Sequence, residues 1–164
     1  MQQKIEKTIL PNGLTIVTEA MDHLRSVSTG LWIRSGSRHE PLEQSGISHF
    51  IEHMLFKGTV HRTAQDIAFE TDTLGGHLDA FTSHELAAYS IKVLDDHLPR
   101  AFDLVADLVT GPLFSEKEFE KERHVIVEEI KMIEDTPDDL AAEIFFSGFW
   151  PNSRLGRSVS GTVE

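Results

Sequence analysis

Ile47, Phe50, Ile51, Met54 and Leu55 recur at the i, i+3, i+4, i+7, i+8 spacing that commits this stretch to an α-helix with one apolar face turned to a core. The polar residues of the same stretch are constrained as strongly. At about 100° per residue, His49, Glu52, His53 and Phe56 form a second stripe opposite the first, able to line a cleft. His49 and His53 stand four residues apart, so their Cβ atoms lie about 5–6 Å from one another and both imidazoles point the same way. The fold must therefore cover one side of this helix and leave the other open to a shared ion.

The remaining sequence predicts how the helix is carried. Residues 4–21 alternate around Leu10-Pro11-Asn12-Gly13-Leu14, where Asn-Gly predicts a tight hairpin turn with positive φ angles. Residues 26–35 are rich in β-branched and aromatic side chains and predict a further strand, followed by a polar loop through Gly46. A helix over 63–74 stops at Gly75-Gly76, strands follow over 78–83 and 87–93, and helical periodicity returns over 98–109. Ser115 and Glu118 have capping-box spacing and open a long helix to about residue 134. Pro137 opens another through Ser147, with Asp138 and Asp139 suiting its dipole better than a calcium loop, and the tail from Gly148 reads as loop with Gly156 and Gly161 as turn residues. Hairpin-linked strands followed by grouped helices predict an α+β two-layer sandwich, a mainly antiparallel sheet packed against helices.

Composition narrows the chemistry. The chain has 164 residues, 40% hydrophobic and 26% charged, which suits one globular domain. No apolar run reaches the roughly 18 residues of a membrane span, and Met1 to Lys7 lacks the apolar centre of a secretory signal, so a cytoplasmic protein with no membrane partner is expected. The absence of cysteine leaves His and carboxylates as the only strong ligands for a metal. A formal charge of −12 argues against nucleic acid as a partner, and solubility explains that charge more simply than steering of basic substrates.

Zinc is the ion that imidazole ligands of this kind favour, and it makes water acidic near neutral pH. A carboxylate is then needed to take the proton, and Glu52, one residue before His53, projects beside the ion rather than along the His–His line. A third ligand has candidates on the helix after Ser115. Phe119, Ile126, Ile130 and Ile133 define its apolar stripe, with Glu122 and Glu129 one heptad apart on the border and Glu128 on the solvent side. A carboxylate at the edge of a core is paired, hydrated or coordinating. Glu129 as ligand with Glu122 supporting it therefore stands beside ordinary ion pairing, and spacing leaves both open. His23, His39, His61, His77, His84, His97 and His124 have no partner at ligand spacing and are read as structural.

His49-x-x-Glu52-His53 followed by Met54-Leu55-Phe56-Lys57-Gly58-Thr59 resembles the pitrilysin, insulinase and mitochondrial-processing-peptidase family of inverted zincins. The resemblance extends over Asn12-Gly13-Leu14, Gly75-Gly76-x-Leu78-x-Ala80-Phe81-Thr82, Leu98-Pro99, the segment from Glu122 to Glu129, and Leu155-Gly156-Arg157, so it covers essentially the whole chain. It implies a metalloendopeptidase with one zinc ion on His49, His53 and Glu129, Glu122 as supporting acid, and Glu52 as the proton carrier. It also implies that a peptide or unfolded polypeptide adds as an extended strand along Ala80-Phe81-Thr82. Asp79 departs from the asparagine common at that place, and a carboxylate cannot donate the hydrogen bonds of an amide. Family members look like chains of two or four related domains. The expectation is thus an N-terminal metallopeptidase domain over 1–164, stopping before its own end and poorly active alone, that forms a homo-oligomer or pairs with a second family domain.

Two other readings accompany this one. A non-catalytic core or peptide-binding subunit would keep the fold without cutting. The metal-dependent S-ribosylhomocysteine lyase is similar around its His-x-x-Glu-His helix, but its third ligand is a cysteine, which this chain lacks.

Overall fold

A computed structural model gives the structure of the chain and describes residues 4–163. Strands β1 (Lys4–Ile9) and β2 (Thr15–Ala20) form an antiparallel hairpin. Gly13 alone takes the positive φ expected of the turn, at 88°, while Asn12 caps it with its side chain, Oδ1 accepting from the Leu14 amide at 3.1 Å. The two-residue turn with two positive φ angles predicted from Asn-Gly is therefore not the one formed. Pro11 favours the second position of an ordinary four-residue turn, closed by the Gly13 amide on the Leu10 carbonyl at 2.9 Å, and only its last residue, Gly13, takes the left-handed region.

Strands β3 (Ser26–Ile33), β4 (His77–Thr82) and β5 (Ala87–Leu94) make a three-stranded antiparallel sheet in the order β3-β5-β4. β5 is central, and Ala87, Ala88, Tyr89, Ile91 and Val93 are buried along it. Helix α3 (Leu98–Thr110) lays Ala101, Leu104, Val105 and Leu108 on this sheet. Leu55 at the end of α1 (Ile47–Leu55) and Ile67 and Leu74 from the region of α2 (Ala64–Thr73) close the same core. Helix α4 (Glu116–Asp135) runs against α1, and α5 (Pro137–Phe149) against α4. The α+β architecture of antiparallel strands packed on helices is the one the sequence predicts. Among the described residues no helix is long and apolar enough to cross a membrane.

Some faces differ from the expected ones. Met54 and Leu55 are buried, but Ile47 and Ile51 are each 38% exposed and His49 only 8%. α1 is covered from two directions, by β4 and by α4, so its polar stripe is enclosed and part of its apolar stripe is not. On α4, Phe119 is 41% exposed whereas Glu122 is 4% exposed. Phe119 packs on Phe50 at the rim, with ring centroids 4.5 Å apart, while Glu122, one turn on, meets His53 of α1. The capping box at Ser115 is half made: Ser115 Oγ accepts from the Glu118 amide, but Glu118 turns to Lys121 at 2.7 Å. The complete reciprocal box stands at Thr63 and Asp66.

The turn after α1 is tied to α3 by a buried polar cluster. Asp107 accepts from the Thr59 hydroxyl at 2.6 Å and from Arg62 Nη1 at 2.7 Å, while Arg62 also reaches Glu70 and Asp103. Burial works to raise Asp107, but the Thr59 hydroxyl and the Arg62 guanidinium overcome it and hold the carboxyl below its ordinary 3.8. Its charged form is thus favoured by folding, a stabilisation present above pH 3.8 and lost as pH falls through the lower folded value. Asp107→Ala is expected to cost about 2 kcal/mol in urea unfolding, because it leaves the Thr59 hydroxyl without an acceptor and takes one of three carboxylates from Arg62. Asp107→Asn should flatten the loss of stability below pH 3.8, measured by thermal unfolding across that range.

Candidate metal centre

His49 and His53 lie one turn apart on α1, with ring centroids 4.7 Å apart and planes at 79°. Both direct Nε2 toward Glu129 of α4. His49 Nε2 is 3.7 Å from Glu129 Oε1, and His53 Nε2 is 3.4 Å from Glu129 Oε2. Among the described residues these three form a group whose ligand atoms all fall within 4.8 Å of one another. Atoms bound about 2.0–2.2 Å from one tetrahedral zinc lie about 3.3–3.5 Å apart, so the group needs little adjustment to share an ion.

Glu122, seven residues before Glu129, reaches under the helix and places Oε2 3.1 Å from His53 Nδ1. A carboxylate there fixes the tautomer with the proton on Nδ1 and the lone pair on Nε2. Burial holds His49 below its usual value, opposed by the charge of Glu129, and so favours the neutral ring that ligation needs. His49 Nδ1 and Glu52 Oε2 are buried without a hydrogen-bond partner. An unanswered buried carboxylate oxygen beside two histidines is costly by itself and fits next to a cation or its water. Glu122 and Glu129 both contact His53, and Glu52 lines the same depression, so three carboxylates gather at the histidine pair, which suits a divalent ion. Behind them Tyr89 is pushed up to about 12, by burial first and by the Glu52 charge second, so its phenol stays neutral.

α1 starts at Gly46, whose φ of 91° and missing side chain leave the first amides of the helix uncapped from within. Glu40 supplies the cap from the preceding loop: Oε2 accepts from the Gly46 amide at 2.8 Å and Oε1 from the Ser48 amide at 2.7 Å. The tail fixes this arrangement. Arg157 Nη2 donates to the Glu40 carbonyl at 2.9 Å, and a Cβ on Gly46 would fall 2.7 Å from the Ser160 carbonyl oxygen. Sequence reasoning passes over Glu40 as part of a polar loop. Its one signal is a helix start with glycine where a Ser, Thr or Asp cap is usual.

Ala80, Phe81 and Thr82 occupy β4 at the edge of the sheet, with Phe81 exposed and Thr82 Oγ1 3.4 Å from the Ser48 carbonyl on α1. Asp79 sits on the same strand opposite Ser90. Of the remaining histidines, His39 Nδ1 takes the Gly36 amide, and His84 meets the Arg157 carbonyl.

Residues 15–163 match the family model "Insulinase (Peptidase family M16)", and the chain belongs to that peptidase family. An uncharacterized zinc protease of Bacillus subtilis is 46% identical over 160 residues, which are 98% of this chain and 39% of that protein. One from Streptomyces coelicolor is 44% identical over 160 residues, 98% of this chain and 35% of that protein. A protease structure from Helicobacter pylori superposes with a TM-score of 0.93 at 27% identity, over 98% of this chain and 39% of that one. The chain thus spans about two fifths of the length of these relatives. A solved domain from Pseudomonas fluorescens, described as an inactive domain of the family, shares the fold with a TM-score of 0.87 at 17% identity, over 96% of this chain and 39% of that one. Membership of a peptidase family displaces the lyase alternative.

Equilibrium dialysis should find one zinc ion per chain. His49→Ala and Glu129→Ala should each weaken it by more than about 100-fold, beyond the usual loss for an outer partner. Glu40→Ala should cost about 2 kcal/mol in thermal unfolding, the loss of charge-assisted hydrogen bonds at a helix start.

Proposed function

We propose that the full-length protein is a zinc-dependent endopeptidase that cuts peptides or small proteins bound as an extended strand. One observation carries the reading: two imidazole nitrogens and a carboxylate lie within 4.8 Å of one another, beside a buried glutamate oxygen with no partner. In it, His49, His53 and Glu129 hold one zinc ion, which supplies Lewis acidity toward water and a scissile carbonyl.

Glu122 holds the His53 ring by Nδ1 and keeps its Nε2 lone pair aimed at Glu129. Glu52 Oε2, desolvated and unbonded, receives the proton that water gives up and passes it to the leaving amine. The open edge of β4 offers the backbone of Ala80, Phe81 and Thr82 to an added strand, so hydrogen bonds to the peptide main chain give affinity and the exposed Phe81 gives shape selectivity. The Thr82 contact with Ser48 joins that edge to the first turn of α1, which brings a peptide lying there past the histidines.

The inactive domain from Pseudomonas fluorescens, which has this same fold, gives weight to a second reading, a peptide-binding member that does not cut. Glu52→Gln separates the two. It should retain zinc and lower turnover of an unfolded polypeptide by about 10²–10⁴-fold. Cleavage undiminished by the substitution removes Glu52 from the reaction, and a zinc-loaded wild-type protein that binds peptides without cutting them supports the second reading.

A further inference from the structure

We infer that Lys57 is a positioning residue of the metal centre, acting through Glu122; the inference rests on the zinc reading above and extends it beyond the motif. Lys57 Nζ lies 2.6 Å from Glu122 Oε1, while the other oxygen of the same carboxylate lies 3.1 Å from His53 Nδ1. The two groups that hold Glu122 thus come from one short stretch, four residues apart, at and just beyond the end of α1.

Glu122 is 4% exposed, so its charge depends on these two partners. A carboxylate fastened at one oxygen is free to swivel about its last bond and lean away from the ring. Fastened at both, it fixes the plane of the His53 imidazole, and with it the direction of Nε2. The turn that carries Lys57 is itself immobilised: the Lys57 amide donates to the Met54 carbonyl at 3.1 Å, Gly58 bridges to Thr63, and Thr59 is bound to Asp107. Lys57 therefore meets Glu122 from a rigid support rather than as a wandering surface ammonium. Its side chain is 31% exposed and borders a depression of about 190 Å³ shared with Glu52, His53 and Phe56, so the rival role is direct contact with substrate.

Metal affinity of the apo protein distinguishes these roles without an activity assay. The full-length protein is titrated with zinc, and separately with cobalt, against a chromophoric chelator. Lys57→Met should weaken binding by about 10–100-fold, as losing an outer partner of a ligand does, and should shift the cobalt absorption bands. Lys57→Arg should stay within a few-fold of wild type. On a Glu122→Gln background, Lys57→Met should add no further loss, because the two act as one unit. Wild-type affinity in Lys57→Met, or losses that multiply in the double variant, would overturn the inference, and a change confined to KM would assign Lys57 to substrate instead. If Lys57→Met does not fold by circular dichroism, Lys57→Leu, which likewise has no donor, is read in the same titration with the same criteria. A wild-type protein that binds no zinc defeats the metal reading itself, a result separable from any behaviour of Lys57.

Discussion

The contact between α1 and α4 is the interaction on which the site depends. Neither helix makes a binding group alone: α1 offers two imidazoles, and α4 offers two carboxylates seven residues apart. Packed side by side, they set Glu129 against the Nε2 atoms and Glu122 against Nδ1 of His53. Phe50 on α1 and Phe119 on α4 pack ring against ring at the rim of this contact. Sliding α4 by one residue would rotate both glutamates by about 100° and empty the site.

α1 is held at each end by charges that take no part in its own sequence pattern. Glu40 and Arg157 secure its start, and Asp107, Thr59 and Arg62 secure the turn that leaves it. Such bracing suits a helix whose enclosed face carries polar groups. The apolar burial that usually seats a helix is here reduced to Met54 and Leu55 at one end.

These braces also mark the limit of what the sequence disclosed. Periodicity, β-branched content and the Asn-Gly, Gly-Gly, Ser and Pro signals at element ends located the strands and α-helices, because all of these are local properties of a chain. The heptad between Glu122 and Glu129 singled out two acids from many on α4, although it could not choose between an ion pair and a ligand. Asp107 left no such trace, and Glu40 left only the glycine at the start of α1. Glu40 meets Arg157 across 117 positions and Asp107 meets Thr59 across 48, and no pattern along the chain encodes a partner that distant. The same holds for the enclosure of His49 and the exposure of Ile51, which depend on where α4 and β4 happen to cross α1.

At the start of α1 two glycine backbones touch: a Cβ on Gly161 would lie 2.6 Å from the Ser45 carbonyl oxygen and 2.8 Å from the Gly46 Cα. The returning tail works there as a mechanical stop, seated against the butt of the helix with no side chain between them. A single methyl group added at either glycine would act as a shim, driving the helix along its axis and throwing both imidazoles out of line with the opposing carboxylate. The tolerance of the whole centre is thus set by the thickness of bare main chain at one crossing.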